Sequence, residues 1–244
     1  MTAFPFSIVI PTYNEAGGIE RLLRSLAELF DAHGLDGEVI VVDDASPDGT
    51  GAIVDRLSRE LPVRCLHRPG KLGLSSGVID GWKIARPESK ALGAMDADFS
   101  HDIRILPRMV EALASGEYGL AIGSRYVPGG GIANWPKRRI ITSRVACLLA
   151  RPLTPIRDIT SGYFLVLREA LEGVPLDPIG FKIGLEVVAK ARYGKAIEIP
   201  YVFTDRTVGV SKLGGGEILD YLKQLGKLYA SRLLRRSPRA EAAR

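Results

Sequence analysis

Apolar residues along this chain fall into two alternating rhythms. Short β-branched runs at Ser7–Ile10, Glu38–Val42, Val63–His67, Ala91–Met95 and Gly119–Ile122 predict strands, several of them apolar throughout. A run without polar alternation suits a strand covered on both faces. Between these runs, Gly18–His33, Gly49–Leu61, Leu74–Arg86 and Leu106–Ser115 carry apolar residues at helical spacing. In the first, Ile19, Leu22, Leu23, Leu26 and Phe30 make one stripe. This alternation predicts an α/β fold with a mostly parallel, doubly wound sheet flanked by helices. Ligands of such sheets sit beyond the carboxyl ends of the strands. The loops that follow the strands are therefore where chemistry is expected.

The pattern changes after Arg125. Pro128–Gly131 is rich in turn residues, and Pro136–Arg151 is basic and apolar together. Phe164–Leu167 and Ile197–Val202 predict strands, with a helix at Phe181–Arg192 between them. A last amphipathic helix is expected at Glu217–Arg236, after the Gly214–Gly216 break. It sets Ile218, Tyr221, Leu222, Leu225, Leu228, Tyr229, Leu233 and Leu234 along one broad face, with Lys223, Lys227, Arg232, Arg235 and Arg236 supplying charge. Its first half reads as docked on the sheet. For its end, Ser231–Arg236, docking and membrane proximity stand level.

Composition narrows the classes. Hydrophobic residues are 46% and charged residues 25% of 244, ordinary for a packed core. Cys65 and Cys147 make neither a disulfide framework nor a metal finger, which suits a reducing cytoplasm. His33, His67 and His101 are too scattered for a His-built metal site. No signal peptide is visible, and no run approaches the ~20 apolar residues that span a bilayer. The net charge of +5 fits phosphate ligands, nucleic acid or an anionic membrane surface, and chooses among none of them. No recognised nucleic-acid module interleaves its arginines with aromatics, so nucleic acid is not expected as a partner.

Three strand ends carry polar signatures: Pro11-Thr12-Tyr13-Asn14-Glu15, Asp43-Asp44-Ala45-Ser46-Pro47-Asp48-Gly49-Thr50, and Asp96-Ala97-Asp98. Asp48 and Thr50 read as helix caps. Two carboxylates one residue apart after a buried strand can share a hard divalent cation, so Asp96 and Asp98 read as metal ligands. No GxGxxG follows the first strand, which argues against a dinucleotide-dependent oxidoreductase.

In this order the three loops resemble the inverting family 2 glycosyltransferases of GT-A fold, whose sheet is Rossmann-like. Further segments resemble the dolichyl-phosphate (polyprenyl-phosphate) mannose synthases within that family: Arg68–Gly77, the run from Met95 to Asp102, Gly123-Ser124-Arg125-Tyr126, Asn134-Trp135-Pro136, Ser161-Gly162 and Asp205–Gly214. The likeness runs from about Ser7 to Leu233. It implies one catalytic domain over 1–236, with a nucleotide half of about 1–124, an acceptor half of about 125–236 and a flexible tail at 237–244. It implies transfer of mannose from GDP-mannose to a dolichyl or polyprenyl phosphate with inversion. A UDP-glucose-dependent transferase and a non-catalytic nucleotide-binding accessory protein are the rival readings.

The same resemblance assigns residues. Pro11, Tyr13, Glu15, Val42, Asp44, Asp96, Ala97, Asp98, Arg206 and Lys212 would bind the donor, with Asp44 at the base and Arg206 and Lys212 closing over the diphosphate. Asp96, Asp98 and Ser100 would hold Mg2+ or Mn2+, Ser100 standing where some members carry a glutamine ligand. Arg125, Arg139 and Ser143 would hold the acceptor phosphate, two guanidiniums matching phosphate geometry. Asp98, Arg125 and Arg139 are thus the expected catalytic residues. A stripe of Ile140, Ile141, Val145, Leu148 and Leu149 beside the arginines is expected to contact the lipid tail. The implied location is peripheral, on the cytoplasmic face of a membrane, with a membrane-anchoring subunit left open.

Overall fold

A computed structural model describes residues 4–180, 182–204 and 215–236 of the chain. Its strands are β1 (Phe6–Thr12), β2 (Gly37–Asp43), β3 (Val63–His67), β4 (Ala91–Ala94), β5 (Leu120–Ser124), β6 (Gly131–Ala133), β7 (Phe164–Leu167), β8 (Ala196–Pro200) and β9 (Val202–Thr204). Its helices are α1 (Ile19–His33), α2 (Thr50–Leu57), α3 (Leu74–Ile84), α4 (Leu106–Ala114), α5 (Lys137–Ala150), α6 (Ile183–Lys190) and α7 (Gly215–Arg236). Seven strands form one sheet in the order β3-β2-β1-β4-β7-β5-β8. All its pairings are parallel except those of β7, which runs against β4 and β5.

The sheet is covered on both faces, as its unbroken apolar runs require. Side chains alternate along each strand. Phe6, Ile8 and Ile10 of β1 face a core completed by α1, α2 and α4, while Val9 faces the core of α3, α5, α6 and α7. The stripe of α1 is buried as a unit, and the helix stops at Gly34, whose φ of 60° is the left-handed cap that glycine adopts without a Cβ penalty. On α7, Tyr221, Leu225 and Leu228 pack into the second core, while Ile218 and Leu222, expected on the same face, are exposed.

The strand expected at Ile197–Val202 is broken at Tyr201. β8 ends at Pro200, which has no N–H for a ladder. Tyr201 then donates its N–H to Ser124 O at 3.1 Å and accepts from Gly131 N at 3.0 Å. This hinge turns the chain into β9, which pairs with β6 in a separate two-stranded ribbon.

One consequence positions the site. The carboxyl ends of β1, β2, β4 and β5 lie along one edge of the sheet. Because β7 is reversed, it is the loop before it, 158–163, that arrives at this edge.

Candidate active site

The loops at that edge enclose a cavity of about 830 Å³. The ends of β1 and β2 form one wall and brace each other. Asn14 sits at a φ of 61°, a left-handed conformation that asparagine tolerates. Its N–H donates to Ser46 Oγ at 3.0 Å, and Glu15 N donates to Thr50 Oγ1 at 3.0 Å. Asp48 accepts from Ala16 N at 2.9 Å and from the Thr50 hydroxyl at 2.6 Å; the N-cap expected of these two residues falls instead on Gly49, and their side chains tie the two loops together. Pro11, Tyr13 and Glu15 line the cavity, with Lys71 Nζ 4.5 Å from the Tyr13 ring centre.

Asp44 lines the cavity too, but its carboxylate is engaged within the protein. Oδ1 accepts from Arg68 Nε at 2.6 Å, and Oδ2 from the N–H groups of Leu72 and Gly73 at 3.0 and 3.1 Å. The side chain of Val42 points into the core with Val78, not into the cavity. Val42, expected at the donor site, is therefore not part of the cavity lining.

Asp96, Ala97 and Asp98 follow β4 on the cavity wall. Asp96 N donates to His101 Nδ1 at 3.1 Å, and His101 Nε2 lies 3.7 Å from Asp96 Oδ2. The imidazole is buried and stacked on Tyr163 at 5.1 Å, with Tyr201 and Phe203 edge-on at 5.9 Å. Burial lowers its pKa, against the pull of Asp96 and Asp98. With Nδ1 accepting, the proton belongs on Nε2, facing Asp96. Ser100 is placed differently from expectation. Its N–H donates to Asp98 Oδ1 at 3.1 Å, and its hydroxyl is buried behind the wall with no hydrogen-bond partner among the described residues. Of the three expected metal ligands, Asp96 and Asp98 open on the cavity. Two hard oxygen donors on a polar wall fit Mg2+ or Mn2+.

Cationic residues complete the lining. Arg125, at the end of β5, is buried and gripped by the fully buried Asp158. Its N–H and Nε reach Oδ2 at 2.8 and 2.7 Å, and Nη2 reaches Oδ1 at 2.6 Å and Thr160 Oγ1 at 2.8 Å. Burial opposes the charge of Arg125, but the hydrogen bonds and charge of Asp158 outweigh it and push the pKa further up. Asp158 is held in turn by Glu198, which accepts from its N–H at 3.0 Å and from Ser124 Oγ at 2.8 Å. Arg139 on α5 lies 3.8 Å above the Trp135 ring, and Ser143 Oγ is 3.2 Å from Thr160 Oγ1. Lys182, just before α6, donates to Thr160 O at 3.3 Å; burial and then the charge of Arg125 lower its pKa to about 8.

The structure thus brings Pro11, Tyr13, Glu15, Asp44, Asp96, Ala97, Asp98, Arg125, Arg139 and Ser143 to one cavity. Arg206 and Lys212 lie outside the described residues. Of the expected lipid stripe, Val145 and Leu149 line the cavity and are 48% and 44% exposed, while Ile141 and Leu148 lie outside its lining at 61% and 69% exposure. Asp158, Thr160, His101 and Lys182 were not singled out from sequence. The signal for the first two was the polar run Asp158-Ile159-Thr160-Ser161-Gly162 ahead of a strand, legible only once that strand is known to be reversed.

Residues 7–174 match the family model described as glycosyl transferase family 2. The chain is 41% identical over 226 residues to a dolichol-phosphate mannosyltransferase of Pyrococcus furiosus; that covers 91% of this chain and 63% of the relative's length. It is 39% identical over 222 residues to a polyprenol monophosphomannose synthase of Mycolicibacterium smegmatis, covering 86% of this chain and 82% of that one. A mannosyltransferase of Pyrobaculum calidifontis, solved with GDP-mannose and Mn2+, superposes with a TM-score of 0.61 at 21% identity, over 96% of this chain and 65% of that one, and shares the fold.

Proposed function

The chain belongs to glycosyl transferase family 2, and from that premise we propose that it transfers mannose from GDP-mannose to the phosphate of a dolichyl or polyprenyl lipid, with inversion. The observation that carries the reading is the mixed charge of the cavity lining: Asp96 and Asp98 share one cavity with Arg125, Arg139 and Ser143. A cavity built this way receives two phosphate-bearing substrates and presents the carbon of one to the oxygen of the other.

In the mechanism Asp96 and Asp98 would hold a divalent cation, which would supply charge neutralisation for a departing diphosphate. His101 fixes the loop that carries them by accepting from Asp96 N. Pro11, Tyr13 and Glu15 form the nucleotide wall, and Asp44, held by Arg68, fixes the start of the loop that closes it. Arg125, preset by Asp158, and Arg139, stacked on Trp135, orient the acceptor phosphate. A phosphate monoester carries about 1.5 to 2 negative charges near neutral pH. It attacks without a protein base, so the residues act by positioning and electrostatics. A single in-line displacement inverts the anomeric carbon and gives a β-linked mannosyl phosphate.

Among the described residues no helix is long and apolar enough to cross a membrane. The outward faces of α5 and α7 instead carry Ile141, Leu148 and Leu219 beside Arg138, Arg144 and Lys223. The two helices are joined by Tyr221 Oη to Ala146 O and Tyr229 Oη to Leu149 O, both 2.6 Å. This face rests on the anionic, cytoplasmic leaflet and lets a lipid phosphate enter between the helices.

The test is transfer of radiolabel into the organic phase from GDP-mannose, with a polyprenyl phosphate in detergent and Mg2+ or Mn2+, beside a parallel UDP-glucose reaction. Label from GDP-mannose alone supports the proposal. Label from UDP-glucose alone overturns the sugar, and nucleotide binding without any transfer overturns the activity.

A further inference from the structure

The charge of Arg125 is cancelled inside the protein by Asp158, through two side-chain hydrogen bonds of 2.7 and 2.6 Å. A phosphate monoester held at this wall needs more positive charge than the expected pair of arginines then provides. Thr160 shows where more comes from. Its hydroxyl accepts from Arg125 Nη2 at 2.8 Å and faces Ser143 Oγ at 3.2 Å, while its carbonyl accepts from Lys182 Nζ at 3.3 Å. Lys182 therefore lines the cavity and shares Thr160 as a neighbour with Arg125 and Ser143. The backbone is shaped for this approach: a Cβ on Gly184 would lie 2.7 Å from Ser161 O, so only glycine lets the first turn of α6 come this close to the 158–162 loop.

We propose that Lys182 is a phosphate-binding residue of this site, its ammonium taking an oxygen of the acceptor's phosphate monoester together with Arg125, Arg139 and Ser143. The proposal rests on the functional reading above and adds a residue to it. An ammonium binds phosphate as a compact point charge and complements the flat fork of an arginine. Thr160, between the two, sets their spacing. A purely structural Lys182 would serve contacts within the protein, the Thr160 carbonyl among them.

Steady-state kinetics with farnesyl phosphate as acceptor separate these roles, using the full chain, its Lys182→Met and Lys182→Arg variants, and melting curves of all three. Loss of one charge-assisted contact predicts an acceptor KM raised ~10- to 100-fold in Lys182→Met. The KM for GDP-mannose stays within about twofold, and Lys182→Arg recovers part of the loss. A second measurement uses the native protein. Acylation of Lys182 by an amine reagent, followed by mass spectrometry, is slowed by farnesyl phosphate and not by farnesol. An unmoved acceptor KM in a folded Lys182→Met variant, or labelling indifferent to farnesyl phosphate, overturns the proposal. Protection by GDP with Mg2+ in place of farnesyl phosphate assigns Lys182 to the donor and overturns it equally. A wild-type protein that transfers nothing to any lipid phosphate removes the functional reading, and this inference with it.

Discussion

Replacing Asp158 by Asn keeps the size of the side chain and deletes the charge that balances Arg125. Asp158 is fully buried and Arg125 is 7% exposed, so water cannot take over the role of the lost carboxylate. Asp158 accepts from the Arg125 backbone N–H, Nε and Nη2, all within 2.8 Å, and asparagine can serve at most part of that set. Breaking one side of a buried ion pair costs ~3–5 kcal/mol, because the remaining charge is stranded. For a chain of this size each kcal/mol moves the melting midpoint by ~2–4 °C, so the variant melts ~6–20 °C lower. Calorimetry of the wild type, Asp158→Asn and the double variant Arg125→Met/Asp158→Leu tests the cause as well as the size. The double variant strands no charge and melts closer to the wild type than the single variant, while transferring no sugar. A farnesyl phosphate supplement raises the midpoint of Asp158→Asn more than that of the wild type, since the freed guanidinium gains a new counter-ion. A single variant melting within about 2 °C of the wild type, or a double variant no more stable than the single one, would refute the stranded-charge argument.

Other outcomes follow from the same geometry. Asp98→Ala retains the wild-type melting curve and loses transfer by roughly a thousandfold or more, since the leaving diphosphate loses its counter-charge; substantial turnover in this variant would move the metal elsewhere. Burial first, and then Asp55 and Asp43, push the Cys65 thiol from 9.0 up to about 12. A raised pKa means less thiolate at any pH below it, so iodoacetamide labels Cys65 at pH 8 about a thousandfold more slowly than an ordinary thiol; labelling at the ordinary rate contradicts this. Leu148→Asp, at an exposed position, leaves melting unchanged and weakens binding to anionic vesicles about tenfold or more, while water-soluble acceptors are used normally; unchanged vesicle binding removes α5 from the membrane face.

The sheet was legible where burial on both faces left unbroken apolar runs, as in β1, β2 and β5, and α1 was legible from its stripe. The direction of β7 was not. A four-residue apolar run carries no sign of which way it points. That one reversal moved the site's supporting loop from after a strand to before it, and hid Asp158 and Thr160. The ribbon of β6 and β9 was missed because Gly131–Ala133 is too short to show a period. The site's chemistry was legible as residue types, and its wiring was not. Asp44 reads as an open carboxylate until Arg68 is seen to hold it, and Arg125 reads as an open cation until Asp158 appears beside it. Ser100 carries a ligand's atom type but lies behind the wall, because its N–H serves Asp98 and turns the residue inward. Val42 and Leu148 show the same limit: a strand's alternation and a helix's rotation decide which side of the backbone a residue serves.

In the proposed reaction the cavity joins mannose to a phosphate oxygen of a lipid in one displacement. The most direct test is the structure of the product itself. Farnesyl phosphate and 13C-labelled GDP-mannose are incubated with the purified chain and Mg2+, and the lipid product is examined by phosphorus and carbon NMR. The expected product is a mannosyl phosphate in which C1 couples to phosphorus and the anomeric centre is β. An α-anomer would contradict the single displacement, and mannose released to water or bound to any other oxygen would contradict the acceptor role given to Arg125, Arg139 and Ser143.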